Sequence, residues 1–112
     1  MLRLKRGDVI VTAFPFADGL RMKVRPALVY AGPWEFNGVS ISWIIMITSS
    51  LRYAWPGDVV LADTAGAGLP KTSLIRTLKI ACIDTRNVVQ KIGVLDKATL
   101  NRVRAETRKH IG

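Results

Sequence analysis

The chain is poor in the side chains that most enzymes rely on. Among its 112 residues there is one cysteine, Cys82, and one histidine, His110. A single thiol excludes an internal disulfide and fits a reducing compartment. It sits in the apolar run Ile80-Ala81-Cys82-Ile83, which predicts a small buried hydrophobe. A single terminal histidine excludes a histidine acid–base pair within one chain and gives no Ser-His-Asp triad. No Cys/His spacing suits zinc, and the eight carboxylates are scattered, without the cluster a two-metal nuclease needs. Neither a metal nor a cofactor is expected. The longest apolar run, centred on Ile41 to Ile47, is far shorter than the ~20 residues of a membrane helix. No signal-type segment opens the chain, and no linker, repeat or low-complexity tract divides it. These absences predict one cytoplasmic domain over residues 1–112, with no membrane association.

What is present is cationic and hydrophobic. Seventeen lysines and arginines stand against eight acids, a formal charge of +9, in a chain that is 49% hydrophobic. That fraction is enough for a packed core. The charge points to a polyanionic partner such as nucleic acid or an acidic protein segment.

The stretch from Gly7 to Ala31 organises the pattern. Val9 to Phe14 reads as a strand rich in β-branched residues. Phe14-Pro15-Phe16 ends it, and Ala17-Asp18-Gly19 supplies turn chemistry. Arg21, Lys23 and Arg25 then alternate, so an extended backbone would project all three cations on one side. Pro26 to Ala31 is the second strand, broken by Gly32-Pro33. Trp34 to Gly38 reads as a turn whose two aromatics either pack as lids, stack on a base or hold a partner peptide.

Val39 to Ile47 is apolar on both faces and predicts a central strand. It ends in Thr48-Ser49-Ser50, hydroxyls that often simply form turns. Asp58 to Leu61 is a short strand. Ala62 to Thr72 is a loop in which Gly66-Ala67-Gly68 lacks the Lys-Ser/Thr ending of a phosphate loop. Ser73 to Ile83 is a long strand with Arg76 in an otherwise apolar row. A buried charge needs a partner, so Arg76 must meet either a structural acid or an anion. Val88 to Val94 is a last strand. Asp96 is placed to cap a terminal helix whose inner stripe is Leu100, Val103, Thr107 and Ile111, with Glu106 able to pair with Arg102.

Arginine, hydroxyls and aromatics suit metal-free RNA cleavage, in which the substrate's own 2′-OH attacks the adjacent phosphate. The protein then has to align the strand and stabilise charge on the phosphate oxygens, and the guanidinium fork does so bidentately. A Thr or Ser hydroxyl adds a donor. DNA lacks the nucleophile, so such a site is specific for RNA.

The ordered set Gly7-Asp8-Val9-Ile10, Phe14 to Gly19, Val24-Arg25-Pro26-Ala27-Leu28-Val29, Ile47-Thr48-Ser49, Gly57 to Leu61, Ala67-Gly68-Leu69 and Ile92-Gly93-Val94-Leu95 resembles the PemK/MazF toxins of bacterial toxin–antitoxin pairs. The resemblance runs nearly end to end. It implies a mainly β fold, an SH3-like antiparallel β-barrel with a C-terminal α-helix, usually a homodimer. It implies a metal-independent, sequence-preferring endoribonuclease acting on single-stranded mRNA, leaving 2′,3′-cyclic phosphate and 5′-OH ends. It also implies an antitoxin partner whose tail occupies the RNA groove.

The family's catalytic arginine and Thr/Ser fall on Arg25 and Thr48. An arginine used by some members falls on Arg76. Asp18, Arg21, Lys23, Ser49 and Trp34 are the expected RNA contacts. Certain relatives carry an acid where this chain has Leu78, which neither takes nor gives a proton, so any role of that acid is absent here or moved. Because a guanidinium keeps its proton, Arg25 is expected to stabilise the transition state rather than act as a base. The competing readings are a non-catalytic poison of DNA gyrase on the related CcdB architecture, and a plain basic nucleic-acid-binding barrel.

Overall fold

A computed structural model describes residues 2–13, 24–49, 51, 54–61 and 63–111, the last by its backbone alone. These residues form six strands and one α-helix. The strands are β1 (Asp8–Ala13), β2 (Val24–Phe36), β3 (Val39–Thr48), β4 (Asp58–Leu61), β5 (Ser73–Asp84) and β6 (Val88–Val94), and the helix is α1 (Lys97–Ile111). All pairings are antiparallel, in the order β4-β5-β3-β2-β1-β6. No helix among the described residues is long and apolar enough to cross a membrane.

β3 lies inside the sheet because its apolar side chains alternate without a polar face. Ile45 and Ile47 join Val9, Leu28, Ile75 and Val103 in one core, beneath α1. Ile44 joins Ile10, Ala27, Val29 and Ile83 in a second core. Adjacent residues thus enter different cores, as the two-residue period of a strand requires.

β4 and β6 are the two edges of an open sheet, and the loop between β4 and β5 lies against β6. Val94 N–H donates to the Gly66 carbonyl at 3.0 Å, while Gly68 N–H and Leu69 N–H bond back within the loop to Ala65 and Thr64. Gly68 has φ +73°, and a Cβ there would run into the Ile92 carbonyl oxygen. A Cβ on Gly93 would run into the Ala67 carbonyl. The two glycines let one backbone lie directly on another. This is what Gly66-Ala67-Gly68 does in the fold.

Several sequence expectations change. β2 does not stop at Gly32-Pro33; it runs on to Phe36. Its register with β3 shifts twice between Val29 and Trp34, and these bulges absorb the proline, which has no N–H to give a ladder. The turn is Asn37-Gly38 alone, both at positive φ, the dipeptide that two-residue hairpins favour. Cys82 is exposed rather than buried. It stands opposite Trp43, itself 39% exposed, and points away from the core that its neighbours Ala81 and Ile83 join. Glu106 pairs with Lys109 at 2.9 Å rather than with Arg102, whose guanidinium reaches the Val60 carbonyl.

Asp96 does cap α1, its Oδ2 accepting from Thr99 N–H at 3.0 Å. Hydrogen bonds from the Thr99 side chain and backbone hold the Asp96 carboxyl below its ordinary value of 3.8. Val103 and Thr107 are fully buried on the inner stripe, and Leu100 is partly so.

Two outcomes follow for stability. Gly93→Ala is expected to cost about 1–3 kcal/mol by forcing the β4–β5 loop off β6, read as a lower midpoint in urea. Asp96→Ala is expected to cost about 1 kcal/mol near neutral pH. Because the folded-state pKa of Asp96 is depressed, its contribution is present above 3.8 and is lost as pH falls through the folded value. The gap between wild type and Asp96→Ala in urea titrations is therefore expected to narrow in that acidic window.

Candidate RNA-cleavage site

The site grows out of the β2–β3 register. Ala27 pairs with Met46 at the end of their ladder. Carried two residues further, the same antiparallel register sets Arg25 against Thr48. Pro26 marks the point where the β2–β3 ladder ends, a position that needs no N–H from it. On its other side β2 stays paired to β1, with Thr12 opposite Arg25. Thr12 is fully buried, and its hydroxyl donates to the Asn87 carbonyl at 2.9 Å. The backbone presenting Arg25 is therefore firmly held, while the residue itself is exposed.

Arg25, Thr48 and Ser49 line one cavity of about 580 Å³, a volume ordinary for a ligand site. Its far wall is the end of the β4–β5 loop, with Lys71 and Ser73. The Ser73 hydroxyl donates to the Lys71 carbonyl at 3.0 Å, fixing the backbone that carries the lysine. Val11, Met46 and Ile92 supply apolar lining. None of the described lining residues is acidic, so two cations and three hydroxyls face a cavity whose field favours an anion. Among the described residues no three His, Cys, Asp or Glu side chains stand close enough to share a metal ion.

The remaining expected site residues lie elsewhere. Asp18, Arg21 and Lys23 fall outside the described residues. Arg76 does not line the cavity. It is 7% exposed, its Nη2 lies 4.0 Å from Asp58 Oδ2, and its guanidinium carbon lies 4.6 Å from the centre of the Trp55 ring. Both partners a buried cation seeks, an acid and a ring face, are thus supplied by the chain. Trp34 stands near the other end of β2, on the order of 25 Å along the strand from Arg25. Its ring meets Trp43 edge-on, with centroids 5.8 Å apart.

Lys71 and Ser73 are the lining residues that sequence reasoning did not single out. Their one visible signal was a cation following a proline in a loop otherwise made of small residues. Nothing local tells that this loop folds back over the end of β2 and β3.

Comparison with known proteins agrees with this architecture. No curated protein sequence matches the chain. An endoribonuclease solved in complex with its cognate antitoxin, from a mycobacterial species, superposes with a TM-score of 0.75 at 15% identity, over 98% of this chain and 96% of that one. MazF from Deinococcus radiodurans gives 0.72 at 18% identity, over 97% and 96%. The Mycobacterium tuberculosis toxin MazF-mt6 gives 0.70 at 16% identity, over 91% and 93%. At such identities these likenesses speak to the fold. The family of PemK-like, MazF-like toxins of type II toxin–antitoxin systems, in contrast, matches residues 5–111 directly. With the match spanning nearly the whole chain, the protein belongs to that toxin family.

Proposed function

We propose that this toxin is a metal-independent endoribonuclease that cleaves single-stranded mRNA in the cavity between Arg25 and Thr48. The observation that carries this reading is the convergence of those two residues, from different strands, on one cation-lined cavity whose described lining residues include no acid.

In the proposed reaction the substrate's 2′-oxygen attacks the adjacent phosphorus. The new P–O2′ bond forms as the P–O5′ bond breaks, leaving a 2′,3′-cyclic phosphate and a 5′-OH. The 2′ proton leaves with attack, and the departing 5′-oxygen gains one. Negative charge accumulates on the non-bridging oxygens. The Arg25 guanidinium is suited to hold two of them as a planar fork, and the Thr48 hydroxyl to donate a further hydrogen bond. Lys71 adds a point charge for a neighbouring phosphate. Ser49, at the cavity mouth, is suited to contact the strand, and Asp18, Arg21 and Lys23 remain expected contacts from the β1–β2 connection. Trp34 is too far along β2 to reach the nucleotides being cleaved. Arg76, held between Asp58 and Trp55, serves here as a positioning residue.

The working unit in this reading is a homodimer. Its natural inhibitor is an antitoxin whose acidic or apolar tail enters the same cation-lined cavity, as charge complementarity favours.

Purified protein incubated with single-stranded RNA in excess EDTA is expected to give cyclic-phosphate and 5′-OH ends. A 2′-deoxy substitution at the cleaved nucleotide is expected to abolish the cut. Arg25→Ala is expected to lower the rate by about 10²-fold or more, as loss of a transition-state donor does. Thr48→Ala is expected to lower it by about 10-fold, in line with one neutral hydrogen bond. Intact RNA with the wild-type protein, or wild-type rates from Arg25→Ala, overturns the reading in favour of a gyrase poison or a binding module.

A further inference from the structure

The strand pair leading out of the cavity carries a second constellation that the cleavage reaction does not use. Between its Ile75–Ile47 and Ile80–Ile45 rungs, β5 advances five residues while β3 advances two. The surplus falls on Arg76 to Lys79. Such a bulge re-aims side chains and is common beside functional sites. Here it turns Arg76 and Lys79 toward Trp55, with the guanidinium carbon 4.6 Å and the ammonium 5.7 Å from the ring centroid.

The burial of the three residues is unequal. The Arg76 side chain is 9% exposed and Trp55 is 41% exposed. The indole therefore lies over the guanidinium as a lid, and its outer surface faces solvent with the half-buried Lys79 beside it.

The backbone carrying the ring is also held in place. The Trp55 main-chain N–H donates to Asp58 Oδ2 at 2.8 Å, the same oxygen that faces Arg76. The Thr77 hydroxyl donates to the Gly57 carbonyl at 2.8 Å, tying the loop to the bulge. A large exposed aromatic, anchored at its backbone and backed by a cation, is a preorganised stacking surface.

Its position gives it a use. Thr48 lines the cavity and pairs with Leu74 of β5. Ser73 lines the cavity too, and Arg76 follows three residues along β5, about 10 Å further on. We propose that Trp55 and Lys79 form a nucleotide-binding subsite for the RNA strand as it leaves the cavity. A base stacks on the outer face of the indole, and an adjacent phosphate meets the Lys79 ammonium. Arg76 and Asp58 are the positioning residues of this platform. The proposal rests on RNA being the ligand of the neighbouring cavity, and it extends that reading to the flanking nucleotides.

The test uses the full-length protein and a non-cleavable single-stranded RNA with 2′-deoxy substitutions, in two lengths. One reaches from the cavity over Trp55; the other is trimmed to the nucleotides the cavity holds. The longer strand is expected to bind the wild type about 5- to 150-fold more tightly, the range for one base stacked on an aromatic. Trp55→Ala is expected to lose that advantage and Trp55→Phe to keep most of it, with thermal melts confirming that both are folded. Independently of the ring, Lys79→Ala is expected to flatten the slope of log affinity against log salt by about 0.7 for the longer strand. Should the length advantage survive Trp55→Ala, or should Trp55→Ala weaken only an acidic peptide and not RNA, the subsite is overturned. Because the readout is binding, a protein that holds RNA through Trp55 but never cuts it would overturn the catalytic reading and leave this one standing.

Discussion

The antiparallel register between β2 and β3 is the constraint on which the rest of the molecule depends. One residue of slip by β2 would move Leu28 out of the core beneath α1 and bring Ala27 or Val29, which belong to the other core, into its place. Two cores on opposite faces of the same strands make that slip costly twice over. The register that the cores enforce, carried past the Ala27–Met46 end of the ladder, is the one that brings Arg25 and Thr48 to the same cavity. Position in the site is thus inherited from apolar packing several residues away, and neither polar side chain has to contribute to stability to be in place.

The second wall of the cavity is held by a different means. The β4–β5 loop contributes few large apolar side chains, and its own hydrogen bonds and two glycines lay it against β6. Backbone-on-backbone contact leaves little room for adjustment. It places Lys71 across from Arg25, and Ser73 restrains the lysine's backbone from the other side. A basic protein gains nothing from crowding its own cations unless an anion completes the arrangement, which is why the lack of an acid among the described lining residues is informative here.

Arg76 illustrates how a charge can be read two ways until its surroundings are known. In a row of side chains otherwise apolar it demanded a counter-charge. The fold provides Asp58 from the neighbouring strand, at 4.0 Å, and the Trp55 ring above. Its burial is what turns Trp55 outward. A structural ion pair and an exposed binding surface are in this case two sides of one arrangement.

Much of this was legible in local patterns. The apolar alternation of β3, the β-branched run of β1, the Asp96 cap and the stripe of α1 follow from periodicity and capping, which act over a few residues. Arg25 stood out locally only as one of three alternating cations and Thr48 as a hydroxyl of the kind that forms turns; the family resemblance is what singled out the two as a pair. The passage of β2 beyond Gly32-Pro33 was hidden because bulges depend on the partner strand, although Asn37-Gly38 marked the true turn. Exposure of Cys82 depends on which part of the sheet the cores cover, and an apolar run cannot state that. Residue types, the boundaries of the strands other than β2 and the excess of positive charge were legible in the sequence alone. Which of those charges face one cavity, which one is buried beneath a ring, and which loop closes the wall were decided only by tertiary packing, because contacts between residues far apart in the chain leave no period in it.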